Sequence, residues 1–78
     1  MYFVYILLCK DGSYYTGSTN DVEKRFKDHL EGRGARYTKS HKPVKIIYKE
    51  EFTSKSKALK REAEIKSWTR KKKENMIQ

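Results

Sequence analysis

A chain of 78 residues has room for one domain with a thin core, which excludes a deep enclosed cavity and leaves a surface cleft for any site. Its 19 lysines and arginines against 10 aspartates and glutamates leave a net charge of +9, more one-sided than solubility requires, so the expected partner is a polyanion, with nucleic acid ahead of a membrane surface. With Cys9 as the single cysteine and only two histidines, an intramolecular disulfide is impossible and a Cys/His zinc site implausible, as suits a reducing, cytoplasmic setting.

Within the run Tyr2–Cys9, Phe3–Cys9 is almost continuously apolar and rich in β-formers, so it reads as a central strand covered on both faces. It is too short to span a membrane and lacks the flanks of a signal peptide. Lys10-Asp11-Gly12 is a turn, and Ser13–Ser18 the returning strand of a hairpin. A two-residue Asp11-Gly12 loop would put Tyr5 and Tyr15 on opposite faces of the sheet. A three-residue loop with Gly12 left-handed pairs Cys9 with Ser13, sets Tyr5 opposite Gly17 and brings Tyr15 diagonally beside it. Turn chemistry permits either.

Asn20-Asp21-Val22-Glu23 has the pattern of a capping box, opening a helix that runs to Glu31 and closes at Gly32. With Val22 at 0° on the helix wheel, Phe26 at about 40° and Leu30 at about 80° form the buried stripe, while His29 at about −20° and Arg25 at about −60° flank it. Gly32–Pro43 reads as a mobile basic loop, and Val44–Phe52 as a third strand. A second helix starts near Ser54 or Ser56 and runs to about Trp68. On its wheel Glu62 lands at about 40° from Ala58, inside the apolar arc that Leu59 and Ala63 continue. A lone carboxylate there needs a partner, a metal ion or Arg25. Thr69–Ile77 is a basic run that can form a short last helix, with Met76 and Ile77 against the core. The fold expected is α+β, one domain over residues 1–78, with a small three-stranded antiparallel sheet flanked by helices in the order ββαβα and a possible final helix.

Val4-Tyr5-Ile6, Tyr15-Thr16-Gly17, Arg25, His29 and Glu62 agree in type, order and spacing with the motifs of the GIY-YIG nuclease domain, which the chain resembles from Tyr2 to about Ile77. It looks like the small, stand-alone bacterial branch of that superfamily. The resemblance selects the three-residue hairpin loop. It implies a metal-dependent endonuclease acting on DNA, with Tyr5, Tyr15, Arg25, His29 and Glu62 lining one concave surface. Tyr5 would be the base and Tyr15 a contact to water or phosphate. Arg25 would clamp the phosphate, and His29 would assist. Glu62 would hold Mg²⁺ or Mn²⁺, as a hard oxygen ligand can. By residue type alone, a strand tyrosine is more often core, and a helix arginine more often solvated. Arg33, Arg36, Lys39 and Lys42, with Tyr37 among them, would contact the nucleic acid, basic groups on phosphate and the ring on an unpaired base. The chain departs from the family pattern at Phe3-Val4, where glycine-isoleucine is usual, and offers only Asn75 for an asparagine common after the glutamate helix. Larger members carry separate DNA-binding domains. Their lack here implies weak cleavage, selectivity for branched or damaged DNA, or a protein partner that supplies specificity. The rival readings are a nucleic-acid-binding module without turnover and a basic accessory subunit on the same scaffold.

Overall fold

Alternation along Tyr2–Cys9 gives this strand, β1, two apolar faces, and the rest of the chain is arranged to cover both. In a computed structural model describing residues 1–77, the elements that follow are β2 (Tyr14–Thr19), α1 (Val22–Leu30), α2 (Arg36–Ser40), β3 (Pro43–Phe52), α3 (Lys55–Lys66) and α4 (Arg70–Ile77). The sheet has the order β2-β1-β3, with both pairings antiparallel. On one face Val4 and Ile6 pack with Ala58 and Ile65 of α3, joined by Tyr14, Trp68, Met76 and Ile77. On the other, Tyr5 and Leu7 pack with Val22 and Phe26 of α1 and with Tyr15. A bulge sets Ile6 opposite Tyr48 but Leu7 opposite Ile46. Ile46 therefore serves the α1 face while Ile47 and Tyr48 both turn to the α3 face.

The hairpin has the three-residue loop. Cys9 N–H donates to Ser13 O at 2.8 Å, Gly12 N–H donates to Cys9 O at 2.9 Å, and Gly12 holds a φ of 88°. The Asp11 carboxylate closes the turn by accepting from the Ser13 amide and hydroxyl, at 3.1 and 2.6 Å. Tyr5 accordingly faces Gly17, with Leu7 opposite Tyr15.

Four local expectations are corrected. The cap of α1 is Asp21 rather than Asn20, its carboxylate accepting from Lys24 N–H at 3.1 Å. At the other end Gly32, with φ 78°, closes the helix; its amide donates to His29 O and that of Arg33 to Asp28 O. Leu30 is 52 % exposed, whereas His29 is 1 % exposed. The buried stripe is rotated toward His29 because the following segment folds down upon that flank. That segment is not an open loop. Arg36–Ser40 forms a helical turn with Thr38 buried, capped when the Thr38 hydroxyl accepts from Ala35 N–H at 3.3 Å and donates to Ala35 O at 3.1 Å. The helix α3 starts from Ser54, whose hydroxyl accepts from Lys57 N–H, and stops at Lys66 rather than Trp68, with the Ser67 hydroxyl donating to Glu64 O. Thr69 caps α4 as expected, and Met76 and Ile77 pack against the α3-face cluster.

Candidate active site

The side chain of Tyr5 crosses from the central strand under its neighbour β2. A Cβ built on Gly17 would lie 2.5 Å from the phenol oxygen and 2.7 Å from Cζ. Only glycine leaves the ring its path. The phenol oxygen lies 2.8 Å from His29 Nε2, and His29 Nδ1 lies 2.7 Å from Thr38 Oγ1. The single hydroxyl proton of Thr38 goes to Ala35 O, so Thr38 accepts from Nδ1–H. Nε2 is then the lone-pair nitrogen, and Tyr5 O–H donates to it. Burial pushes the Tyr5 phenol well above its ordinary pKa; Tyr15 and Glu62 add to the rise and the Arg25 guanidinium opposes it. Burial first, and then Arg25, hold His29 below its ordinary range, with Asp28 opposing. The pair therefore rests as neutral phenol and neutral imidazole.

The remaining groups gather around this pair. The Tyr15 ring lies 5.0 Å from the His29 ring and 6.3 Å from that of Tyr5, centroid to centroid. Arg25, half-buried, is steadied by donating from Nη2 to Gly34 O at 3.2 Å. Gly34 lies against the imidazole, so that a Cβ there would overlap the His29 ring. Glu62 arrives from α3, on the opposite face of the sheet, and reaches the β2 edge beside Ser18. Its Oε1 accepts from Ser18 Oγ at 2.5 Å and its Oε2 pairs with Lys66 Nζ at 2.7 Å. With 16 % of its side chain exposed, Glu62 is satisfied by Ser18 and Lys66, not by Arg25. The Glu62 carboxylate and Ser18 hydroxyl are hard oxygen donors at a half-buried edge, a pair that fits a Mg²⁺-like ion taking the rest of its coordination from water and substrate phosphate. Among the described residues no cluster of three or more His, Cys, Asp or Glu could hold a metal by protein ligands alone.

The five expected site residues thus meet at the edge strand β2, Tyr5, Tyr15, Arg25 and His29 from the α1 face and Glu62 from the α3 face. They do not line one open surface, because Tyr5 and His29 are each 1 % exposed. The cover is the turn carrying Gly34 and Thr38, and neither residue was signalled by the sequence. Thr38 sits in a polar stretch with no apolar period, and its role shows only through its bond to His29. Ser18 was missed too, although strand alternation sets it on the same face as Tyr14.

The expected nucleic-acid contacts divide. Arg36, Lys39 and Lys42 are exposed, with no ion pair among the described residues. Arg33 is paired with Asp28 and Glu31. Tyr37 stacks on Tyr15 at 5.9 Å and on His41 at 4.1 Å, so its ring is engaged within the protein.

The family model described as the GIY-YIG catalytic domain matches residues 1–75. The chain belongs to the GIY-YIG family. Within it, the chain is 54 % identical over 77 residues to a UPF0213 protein of Staphylococcus epidermidis, covering 99 % of this chain and 94 % of the relative. A UPF0213 protein of Staphylococcus aureus is 53 % identical over 76 residues, covering 97 % and 93 %. The solution structure of a UPF0213 protein from Bacillus halodurans superposes with a TM-score of 0.63 at 46 % identity, over 99 % of this chain and 83 % of that one. A second solution structure, of an E. faecalis protein, gives 0.65 at 42 % identity, over 97 % and 81 %. GIY-YIG membership points to nucleic acid as substrate, and no helix among the described residues is long and apolar enough to cross a membrane.

Proposed function

We propose that this GIY-YIG protein is a metal-dependent endonuclease that hydrolyses phosphodiester bonds in DNA, branched or damaged forms included. The observation that carries this reading is the buried relay Tyr5–His29–Thr38, which hands the phenol proton to a neutral imidazole of fixed tautomer. A phenol alone is a poor base at neutral pH. Here the phenol oxygen takes a proton from water while its own proton passes to Nε2, so the phenolate never has to accumulate. The resulting imidazolium is held by Thr38. As the water oxygen bonds to phosphorus, the bond to the leaving oxygen breaks and that oxygen takes a proton from solvent water, while Arg25 faces the charge growing on the non-bridging oxygens. Tyr15, beside both rings, orients water or phosphate. A divalent ion, held by Glu62 with Ser18 adjacent, supplies Lewis-acid stabilisation of the phosphoryl oxygens when bound. Because Tyr5 and His29 are covered, the turn from Gly34 to His41 must shift for substrate to reach the phenol. Specificity beyond this surface falls to the DNA structure or to a protein partner.

The test is cleavage of supercoiled plasmid and of a branched oligonucleotide with Mg²⁺ or Mn²⁺, wild type beside Glu62→Gln. Nicking that requires both the metal and Glu62 supports the reading; absence of metal-dependent nicking by the wild type refutes it. A second reading, a binding module without turnover, draws on the covered phenol and on the Lys66 ammonium already paired with Glu62. Tight DNA binding with no cleavage would favour it.

A further inference from the structure

Glu62 is satisfied by two partners of different standing. The Ser18 hydroxyl holds Oε1 from the sheet edge, whereas the Lys66 ammonium holds Oε2 from a half-exposed side chain in the last turn of α3. Lys66 has no other carboxylate in ion-pair reach among the described residues, and the chemistry proposed above gives it no part. An ammonium so exposed is a weak partner. A divalent ion draws the same carboxylate with twice the charge. Lys66 therefore stands where a metal would stand, and is displaced by one.

Its neighbourhood decides where the displaced ammonium goes. Lys73, half-buried in α4, also lacks a carboxylate in ion-pair reach among the described residues. Burial, and then the Lys66 ammonium, hold Lys73 below its ordinary pKa range, so each ammonium already feels the other. Around Glu62 two ammonium charges thus stand against one carboxylate. A divalent ion added alone would take that carboxylate and leave both ammoniums without an anion. A phosphodiester supplies one. Lys73 shares a cleft with Ser13 and Tyr14, where β2 begins, and Lys66 reaches Glu62 beside Ser18, near its end. Both cations therefore flank β2 from the α3 side, while Arg25 approaches from the α1 side.

We propose that Lys66 is a displaceable counter-cation, which neutralises Glu62 until a metal binds and then turns, with Lys73, to a phosphate of the bound strand next to the one under attack. Metal and nucleic acid then bind with positive coupling, each raising the affinity for the other by the same factor. The inference rests on the reading of Glu62 as metal ligand, and adds a positioning role for a residue outside that reading. Its consequence is a site that loads metal poorly until a polyanion arrives.

The metal arm of the test uses Mn²⁺ alone, its free fraction read by electron paramagnetic resonance. Lys66→Ala should bind Mn²⁺ about three- to tenfold more tightly than the wild type, since it removes both the competitor and its charge. Lys60→Ala removes a like charge from an exposed position on α3 and should stay within about twofold of the wild type. Glu62→Gln should lose the site. The nucleic-acid arm reads binding of a short duplex by rapid-mixing fluorescence anisotropy, ahead of cleavage. Lys66→Ala should weaken binding about three- to tenfold with Mn²⁺ present and less than about twofold in chelator; Lys66→Arg should restore it. Equal Mn²⁺ affinities in the wild type and Lys66→Ala, or a loss of duplex affinity that is the same with and without metal, would overturn the proposal. A purely structural ion pair gives the first of these results, and a simple phosphate contact the second. The two readings fail separately. If Glu62→Gln binds Mn²⁺ as well as the wild type does, Glu62 is no metal ligand and both fall. If Mn²⁺ needs Glu62 and ignores Lys66, only the displaceable cation falls.

Discussion

Gly17→Ala tests whether the Tyr5 path is as constrained as the structure makes it. The backbone at Gly17 lies outside the left-handed region, so alanine meets no conformational penalty and in open space would stabilise by ~0.4–1 kcal/mol through the unfolded chain. Here the new methyl would stand 2.5 Å from the Tyr5 oxygen, 2.7 Å from Cζ and 3.1 Å from Tyr15 Cε2. Tyr5 is 1 % exposed and packed with Leu7 and Val22, so it cannot swing aside. Overpacking of this kind costs about 1–3 kcal/mol. Displacing the phenol also breaks its 2.8 Å bond to His29 and leaves a buried nitrogen without a donor, a further cost of about 1–3 kcal/mol. The two overlap, and a net loss of about 2–4 kcal/mol is expected against a stability of ~4–12 kcal/mol for a chain of this length. Urea unfolding should show it as a lower midpoint at constant m-value, and thermal unfolding as a fall of about 10–25 °C. In a Tyr5→Phe background, which removes the atom in closest contact, the same substitution should cost less. A Gly17→Ala protein as stable as the wild type, with the His29 tautomer unchanged by imidazole NMR, would refute the reasoning.

Three further outcomes are expected. Since His29 titrates below its ordinary pKa in the folded protein, the unfolded chain binds the extra proton first; stability should hold above pH ~6.5 and fall as the pH drops through the folded pKa, with a slope of at most ~1.4 kcal/mol per pH unit from this group, and His29→Gln should flatten the curve of unfolding free energy against pH. Glu62→Gln keeps an acceptor for Ser18 and loses only a pairing with the half-exposed Lys66, so urea unfolding should shift by less than ~1 kcal/mol while metal-dependent cleavage falls by orders of magnitude; full activity would sink the mechanism. Replacing Arg36, Lys39 and Lys42 by alanine should lower the salt slope of duplex binding by up to ~0.9 for each phosphate no longer neutralised, whereas Arg33→Ala, already paired with Asp28 and Glu31, should change it least in a fluorescence-anisotropy titration.

The sheet and the long helices were legible because their signals are repetitive. β1 is apolar at every position that the two helical layers cover, and α1 and α3 carry their own caps. Glu62 was legible for the opposite reason, as a carboxylate in an apolar arc. The wheel placed it facing inward, and Ser18 waits at that place. The hairpin register was not legible from turn chemistry, since an Asp-Gly pair serves loops of either length, and it followed only from the family motif. The turn Arg36–Ser40 was invisible, because its anchor is one hydroxyl on one imidazole and no apolar period records such a bond. The same blindness moved Leu30 into the expected core, where the wheel of α1 saw only its own residues and not the segment that would cover His29.

What the sequence hid is also what joins fold to function. In a chain of 78 residues, positions given to polar chemistry are taken from a core that is already thin. Here Tyr5 and His29 serve as core and, in the proposed chemistry, as relay together. Their rings fill space between β1 and α1, and their polar atoms are satisfied by one another and by Thr38. A satisfied relay is rigid, holds one tautomer and adds no unpaired buried group. The cover that satisfies it also closes it to substrate. The restraint on that cover is small: the bond of Thr38 to His29, the stacking of Tyr37 on Tyr15 and the hydrogen bond from Arg25 to Gly34 O. Each of these ties the cover to a residue that the proposed chemistry needs. In the proposed chemistry, a phosphate that draws Arg25 away from Gly34 would therefore loosen the cover as it binds, so that the group recognising the substrate would also be the group that releases the phenol.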